Sequence, residues 1–383
     1  MELDLTWILL GLPAAFALGW IASRLDLRQM RIANRQAPRA YFKGLNYLLN
    51  EQQDKAIDAF IEAVQNDPDT SELHFALGNL FRRRGEYDRA VRVHEHLLSR
   101  ADLSNADRQR AQHGLALDYL KAGLLDRAEE ALRKLEATPY EGQARLARLA
   151  IYERSREWPE AALVARLLEN SGEANFGVRM AHYLCEQARE AVQQGDAPKA
   201  LTLLTQAAHN TPEAPRPRIL LGQLQLAQGQ ALAAFDTLSV LFERNDAAAP
   251  LAASSLVKAA QTAQVSAKAL NVLQAFYAKQ PCIDVLEAIT ALESHTPEGA
   301  AASHQRYLVH LEKQASLMAA TRWLTDDSSE ARPLPAPVQK ALEQAIRPLA
   351  RYRCAACGFE AKEHFWHCPG CQAWDSYPPR RIE

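Results

Sequence analysis

Four of the six cysteines in this chain fall within Tyr352–Trp374, as Cys354-x-x-Cys357 and Cys368-x-x-Cys371. Two such pairs can place four thiolates around one ion in a tetrahedron, the arrangement that zinc and mononuclear iron take. Gly358 follows the first pair, where a residue without Cβ lets backbone amides turn towards the sulfurs. The competing chemistry is two disulfides, which would require an oxidising compartment. His364 and His367 lie beside the second pair; with four thiolates at hand, both are read as lying outside the ligand set. One zinc or iron ion is therefore expected on Cys354, Cys357, Cys368 and Cys371. Cys185 and Cys282 have no paired spacing and read as buried free thiols.

Iron in the same four thiolates would carry an electron, whereas zinc would only hold shape. No flavin site or redox-partner motif accompanies the cysteines, which favours a structural ion. The 383 residues carry a net charge of −2, so the chain as a whole is no polyanion binder by charge. Arg347, Arg351, Arg353, Arg380 and Arg381 would suit a nucleic-acid-binding zinc ribbon. Glu360, Glu363, Asp375 and Glu383 dilute that patch, and no nucleic acid is expected.

The elements that must position this site are helical. Gly is scarce, Ala, Leu, Arg, Glu and Gln recur, and no long alternating strand precedes the cysteines. From Pro38 a 34-residue period runs along the chain, the tetratricopeptide length. Gly44, Ala56 and Phe60 of the first copy are followed at the same register by Gly78 and Ala90 of the second. Leu115, Ala116, Tyr119 and Ala128 fill a third copy; Tyr152, Trp158 and Ala161 a weaker fourth. Ala188, Ala200 and Leu204 then match Gly222, Ala234 and Leu238, and a degenerate copy follows at Ala269, Leu273 and Phe276. Gly85, Gly123 and Gly195 mark helix exits within copies. Small residues at the crossings let the paired backbones approach.

Helix-pair arrays present a concave face lined by the first helix of each pair, and such faces bind proteins. Asn79, Arg82, Arg83, His113 and Lys121 are the candidate groove residues, a mildly basic set suited to a carboxylate-bearing segment. No nucleophile–base pair or phosphate-binding glycine loop stands out, and an enzyme is not expected.

Ahead of the repeats, Leu5–Ser23 is uncharged, and nineteen residues at ~1.5 Å rise would span about 28 Å, enough to cross a bilayer core. Trp7 and Trp20 stand near its ends. A cleaved signal would want its positive charge before this run; instead Glu2 and Asp4 precede it. Arg24, Arg28, Arg31 and Arg35 follow, on one helical face, and imply a single-pass membrane anchor with the remainder facing the cytoplasm. A reducing compartment would also disfavour disulfides. The expected order is an anchor over 1–23, a basic juxtamembrane helix over 24–36, and the repeat array with degenerate last helices over 37–324. A linker and connecting helix over 325–350 and a metal module over 351–383 complete it. Thr325–Pro337 is acidic and then proline-rich. Phe359, Phe365, Trp366 and Trp374 are more aromatics than so small a unit buries alone, which favours docking onto the repeats.

An amino-terminal anchor, a tetratricopeptide array and a terminal YRCxxCGF…WHCPxCxxW module together resemble the lipopolysaccharide assembly protein B (LapB, or YciM) family. The resemblance implies an all-α tetratricopeptide superhelix with an amino-terminal transmembrane helix and a small rubredoxin-like, or zinc-ribbon, metal module packed on the repeats. It implies an inner-membrane adaptor that promotes degradation of the lipid A pathway deacetylase LpxC by the membrane protease FtsH. An iron electron carrier on a repeat scaffold and a repeat scaffold with a nucleic-acid-binding zinc ribbon remain the alternatives, and the partners to be considered include a second copy of the chain in a homodimer.

Overall fold

The computed structural model describes residues 16, 20, 42–47, 49–66, 70–172, 174–294, 297–325, 335–346 and 351–382. They form α-helices followed by one small two-stranded element. The chain divides into two compact units, Met1–Ile151 and Tyr152–Glu383.

In the first unit, α1 (Gln53–Asn66), α2 (Ser71–Arg84), α3 (Tyr87–Ser99), α4 (Asn105–Ala122) and α5 (Leu125–Arg133) lead into α6 (Glu141–Ser155), within which the division falls. The repeat register explains the packing. A Cβ added at Gly44 would lie 2.9 Å from the Phe60 ring, and one at Gly78 only 2.6 Å from His94, sixteen residues on in both copies. Gly114 approaches His94 from another helix at the same 2.6 Å, so the His94 ring is sandwiched between two bare backbones. The α2 helix ends at Gly85, whose φ of 85° lets Gly85 N–H reach Arg82 O and Glu86 N–H reach Phe81 O, satisfying carbonyls of the last turn. Ser104 caps α4 by accepting from Asp107 N–H at 3.0 Å. Phe60, Leu77, Phe81 and Ala90 form one buried cluster; Leu115, Ala128, Leu132 and Ile151 form another.

In the second unit come α7 (Trp158–Asn170), α8 (Gly177–Gln193), α9 (Ala197–Asn210), α10 (Pro215–Ala227) and α11 (Ala231–Glu243). A 3-10 turn, Ala249–Ala252, then opens α12 (Ala253–Thr262), followed by α13 (Ser266–Lys279), α14 (Ile283–Glu293), α15 (Pro297–Lys313), α16 (Leu317–Thr325) and α17 (Ala336–Ile346). Gly222 again sits against the residue sixteen on, too close to admit a methyl: an added Cβ would meet Leu238 at 2.5 Å. Leu238, Phe242, Leu256, Leu273, Phe276 and Ile289 share a continuous core, with Phe242 and Phe276 edge to face at 5.4 Å. The degenerate copy is thus packed like the regular ones. Cys185 and Cys282 are buried free thiols, and burial pushes them up to about 12 and about 11.

The inner-membrane placement is corrected here. Among the described residues no helix is long and apolar enough to cross a membrane. The physical reason is composition: even α4, eighteen residues long, carries Asp107, Arg108, Arg110, Asp118 and Lys121. Leu5–Ser23, apart from Phe16 and Trp20, lies outside the described residues, as do Arg24, Arg28, Arg31 and Arg35.

Candidate metal centre

The cysteines are delivered by two loops of the same construction. In the first, β1 (Tyr352–Arg353) pairs antiparallel with β2 (Glu360–Ala361), Tyr352 opposite Ala361, and the turn between them carries Cys354 and Cys357. Cys354 N–H donates to Phe359 O and Gly358 N–H to Cys354 O, both at 2.9 Å, with Gly358 at φ 78°. In the second, Cys368 N–H donates to Ala373 O and Gln372 N–H to Cys368 O, again at 2.9 Å. Here Gln372 holds the left-handed position, at φ 60°. A side chain there costs on the order of 1 kcal/mol relative to glycine, which this loop tolerates.

These turns aim amides at sulfur. Ala356 and Cys357 N–H face Cys354, Gly370 and Cys371 N–H face Cys368, Phe359 N–H faces Cys357 and Ala373 N–H faces Cys371. The Ser376 hydroxyl, 3.2 Å from Cys354 Sγ, together with those amides, holds the Cys354 thiol down to about 6, in the direction that metal ligation requires. Burial opposes ionisation at Cys368, but its amides win and its value is also lowered.

All four Sγ atoms lie within 4.8 Å of one another, with Cys354–Cys371 at 3.8 Å and Cys357–Cys368 at 3.7 Å. A tetrahedron with ~2.3 Å metal–sulfur bonds has edges of about 3.8 Å. The donor set therefore fits a tetrahedral zinc or iron ion, and the separations are far beyond the ~2.05 Å of a disulfide bond. Cys354 and Cys368 are buried; Cys357 and Cys371 face solvent. When bound, the ion supplies a fixed cross-link between the two loops. His364 and His367 stand outside the thiolate cluster. His364 Nε2 donates to Tyr377 O at 3.0 Å, and His367 stacks on Trp374 at 4.3 Å; burial pushes both below the usual imidazole range, so both are neutral at pH 7.

The module is docked on the helices of the second unit through two of the four aromatics singled out in the sequence, Trp374 and Trp366, and through helix residues that the cysteine pattern does not announce. Trp374 stacks on His182 at 4.8 Å and meets Trp158 and Tyr183 edge-on, while its Nε1–H donates to Glu153 at 3.1 Å. Glu153 also holds Arg179 at 3.1 Å. Arg216 donates to His182 Nδ1 at 3.3 Å, which leaves His182 Nε2–H to donate to Asp375 at 2.9 Å. Arg216 also pairs with Glu186 and lies over the Trp366 ring. His182 and Arg216 are 34 residues apart, two polar residues at one core position of successive copies; that register was the available signal for them.

The expected groove residues of the first unit are placed differently from one another. Arg82 donates to Asp118 at 2.8 Å and to Gly114 O at 3.2 Å, and it also reaches Asn79. Asp118 is fully buried and takes His94 Nδ1 on its other oxygen at 2.5 Å, so Arg82 is committed to a buried His94–Asp118–Arg82 chain. His113 is half-buried and stacks on Tyr140 at 4.8 Å. Arg83 and Lys121 are exposed.

Helix pairs on a 34-residue register, joined to a four-thiolate two-loop module, define a tetratricopeptide-repeat protein with a rubredoxin-type metal module. Residues 352–378 match the family model described as a rubredoxin metal binding domain, and residues 73–109 and 185–263 match tetratricopeptide repeat models. The chain is 32% identical to lipopolysaccharide assembly protein B of Escherichia coli K12, covering 99% of this chain and 98% of that protein. It is 27% identical to the protein of the same name from Haemophilus influenzae, covering 97% of each. A solved tetratricopeptide repeat protein from Parabacteroides merdae aligns at 14% identity and a TM-score of 0.34, over 67% of this chain and 99% of that one; so loose a likeness adds nothing to the register itself. This chain belongs to the lipopolysaccharide assembly protein B family.

Proposed function

We propose that this protein is a non-catalytic adaptor in lipopolysaccharide assembly, acting by promoting proteolysis of the deacetylase LpxC by the protease FtsH. The observation that carries the reading is family membership over the whole chain, metal module and repeats together. The architecture supports it: repeat arrays present side chains for protein recognition, and a docked metal module stiffens one end of such an array. Cys354, Cys357, Cys368 and Cys371 hold the ion in this reading, and Asn79, Arg82, Arg83, His113 and Lys121 mark one candidate client face. Depleting the protein should lengthen the deacetylase half-life and raise lipopolysaccharide; an unchanged half-life in a pulse–chase measurement would sink the proposal. The electron-carrier alternative is supported by the rubredoxin-type loops alone. A visible thiolate–iron spectrum with reversible reduction in the purified protein would favour it, and a colourless zinc protein would remove it.

A further inference from the structure

The second unit contains a cleft of about 620 Å³ whose walls come from two sources, the repeat helices and the metal module. On the helix side the lining repeats at the tetratricopeptide period. Leu220, Ser254 and Ala288 are successive 34-residue equivalents on α10, α12 and α14, and Gln223, Val257 and Ala291 form a second such row. On the other side stand Lys362, His364 and Trp366, in the stretch that joins Cys357 to Cys368. Both ends of that wall are therefore tied to metal ligands.

The chemistry of the lining selects its occupant. The volume falls within the range of ligand-binding clefts, ~300–1,000 Å³. Leu220, Val257 and Trp366 offer apolar surface, while Gln223 and Ser254, both exposed, offer side-chain hydrogen bonds to a backbone that finds no strand edge here. Asp284 is already held by Arg381 at 2.9 Å and Glu287 by Arg322 at 3.1 Å. Lys258 and Lys362, on opposite walls, have no ion-pair partner among the described residues; Glu363 is the unpaired anion. The unneutralised charge of the cleft is thus net positive.

We infer that this cleft binds an extended peptide segment carrying an acidic side chain beside an apolar one, and that the bound metal ion maintains one wall of the site. Lys258 and Lys362 receive the carboxylate, and the strip from Leu220 to Trp366 receives the apolar side chain. Without the ion, the stretch between Cys357 and Cys368 loses both fixed ends and the cleft loses its second wall. The inference deepens the adaptor reading by giving it a client-segment site, and it is tested apart from it.

The probe is a fluorescein-labelled octapeptide of alternating Leu and Glu, titrated by anisotropy against full-length metal-loaded protein, beside matched Leu/Gln and Leu/Lys peptides. The Leu/Glu peptide should bind at least tenfold more tightly than either control. Lys258→Glu with Lys362→Glu should weaken it at least tenfold while leaving the melting curve unchanged, since both side chains are exposed. Metal removal should abolish binding, whereas Lys121→Glu in the first unit should leave it unaltered. Absence of Leu/Glu binding, equal affinity for the Leu/Gln peptide, or full affinity in the double variant would overturn the site; full affinity in the metal-free protein would overturn the role of the metal. An unchanged deacetylase half-life on depletion would remove the adaptor reading and leave these binding results standing.

Discussion

Both units pair buried or half-buried arginines with carboxylates, and they differ in where their unpaired cations stand. In the first, the basic residue that looks best suited to recognition, Arg82, is spent on the buried carboxylate of Asp118, which also anchors His94 between Gly78 and Gly114. In the second, Arg216, Arg381 and Arg322 are likewise paired, yet Lys258 and Lys362 stay uncommitted where a metal-held loop faces the repeats. A positive residue on a repeat helix thus says little about recognition until its partner is known. Burial decides the matter: a carboxylate at zero exposure must be paired, and it takes the nearest guanidinium.

Metal removal should break this comparison most visibly. Structural zinc contributes on the order of 10 kcal/mol to folding a small module, so chelation or Cys354→Ser should release residues 351–382 to fast amide exchange. Protection in the first unit should not change, because no metal-ligand cluster lies among its described residues. Next in size, Asp118→Ala should destabilise the first unit by about 3–5 kcal/mol, the usual cost of leaving a buried charge unpaired, read as a lowered urea midpoint. Gly78→Leu should cost about 1–3 kcal/mol by overpacking, since its first added carbon already meets the His94 ring at 2.6 Å. Arg83→Ala and Lys121→Ala, both exposed, should move stability by less than about 0.5 kcal/mol; a larger effect on either would mean that the first unit commits these cations too.

The smallest effect is a pH dependence. Burial first, and the Arg82 charge second, hold His113 below the usual imidazole range. The folded first unit then binds fewer protons at this site than the unfolded chain does. Its contribution is full above about pH 6.5 and is lost progressively as pH falls below that value. Urea midpoints between pH 7.5 and 5 should fall more steeply for the parent protein than for His113→Gln. Equal slopes would show that His113 titrates alike in both states.

Much of this molecule was legible because its signals are local or periodic. The pair spacing of Cys354, Cys357, Cys368 and Cys371 needs only two short turns to become a tetrahedron, and the 34-residue recurrence of Gly44 and Gly78 is a packing requirement written at fixed intervals. The inner-membrane expectation rested on the hydropathy of Leu5–Ser23, the flanking charges and a family resemblance, and no spanning helix is found among the described residues. What the sequence did not show is how Arg82, a candidate groove residue, is paired. Its partner, Asp118, lies 36 positions away on a different helix, and nothing local marks it as buried.

By itself, then, the sequence determined the helix-pair register and the four-thiolate ligand set, because each follows from covalent spacing and backbone geometry. Tertiary structure alone decided where the metal module rests and which cations remain unpaired. Trp374 meets Glu153 across 221 positions and His182 meets Asp375 across 193. Contacts at that separation depend on how whole helices stack, and no short-range pattern encodes them.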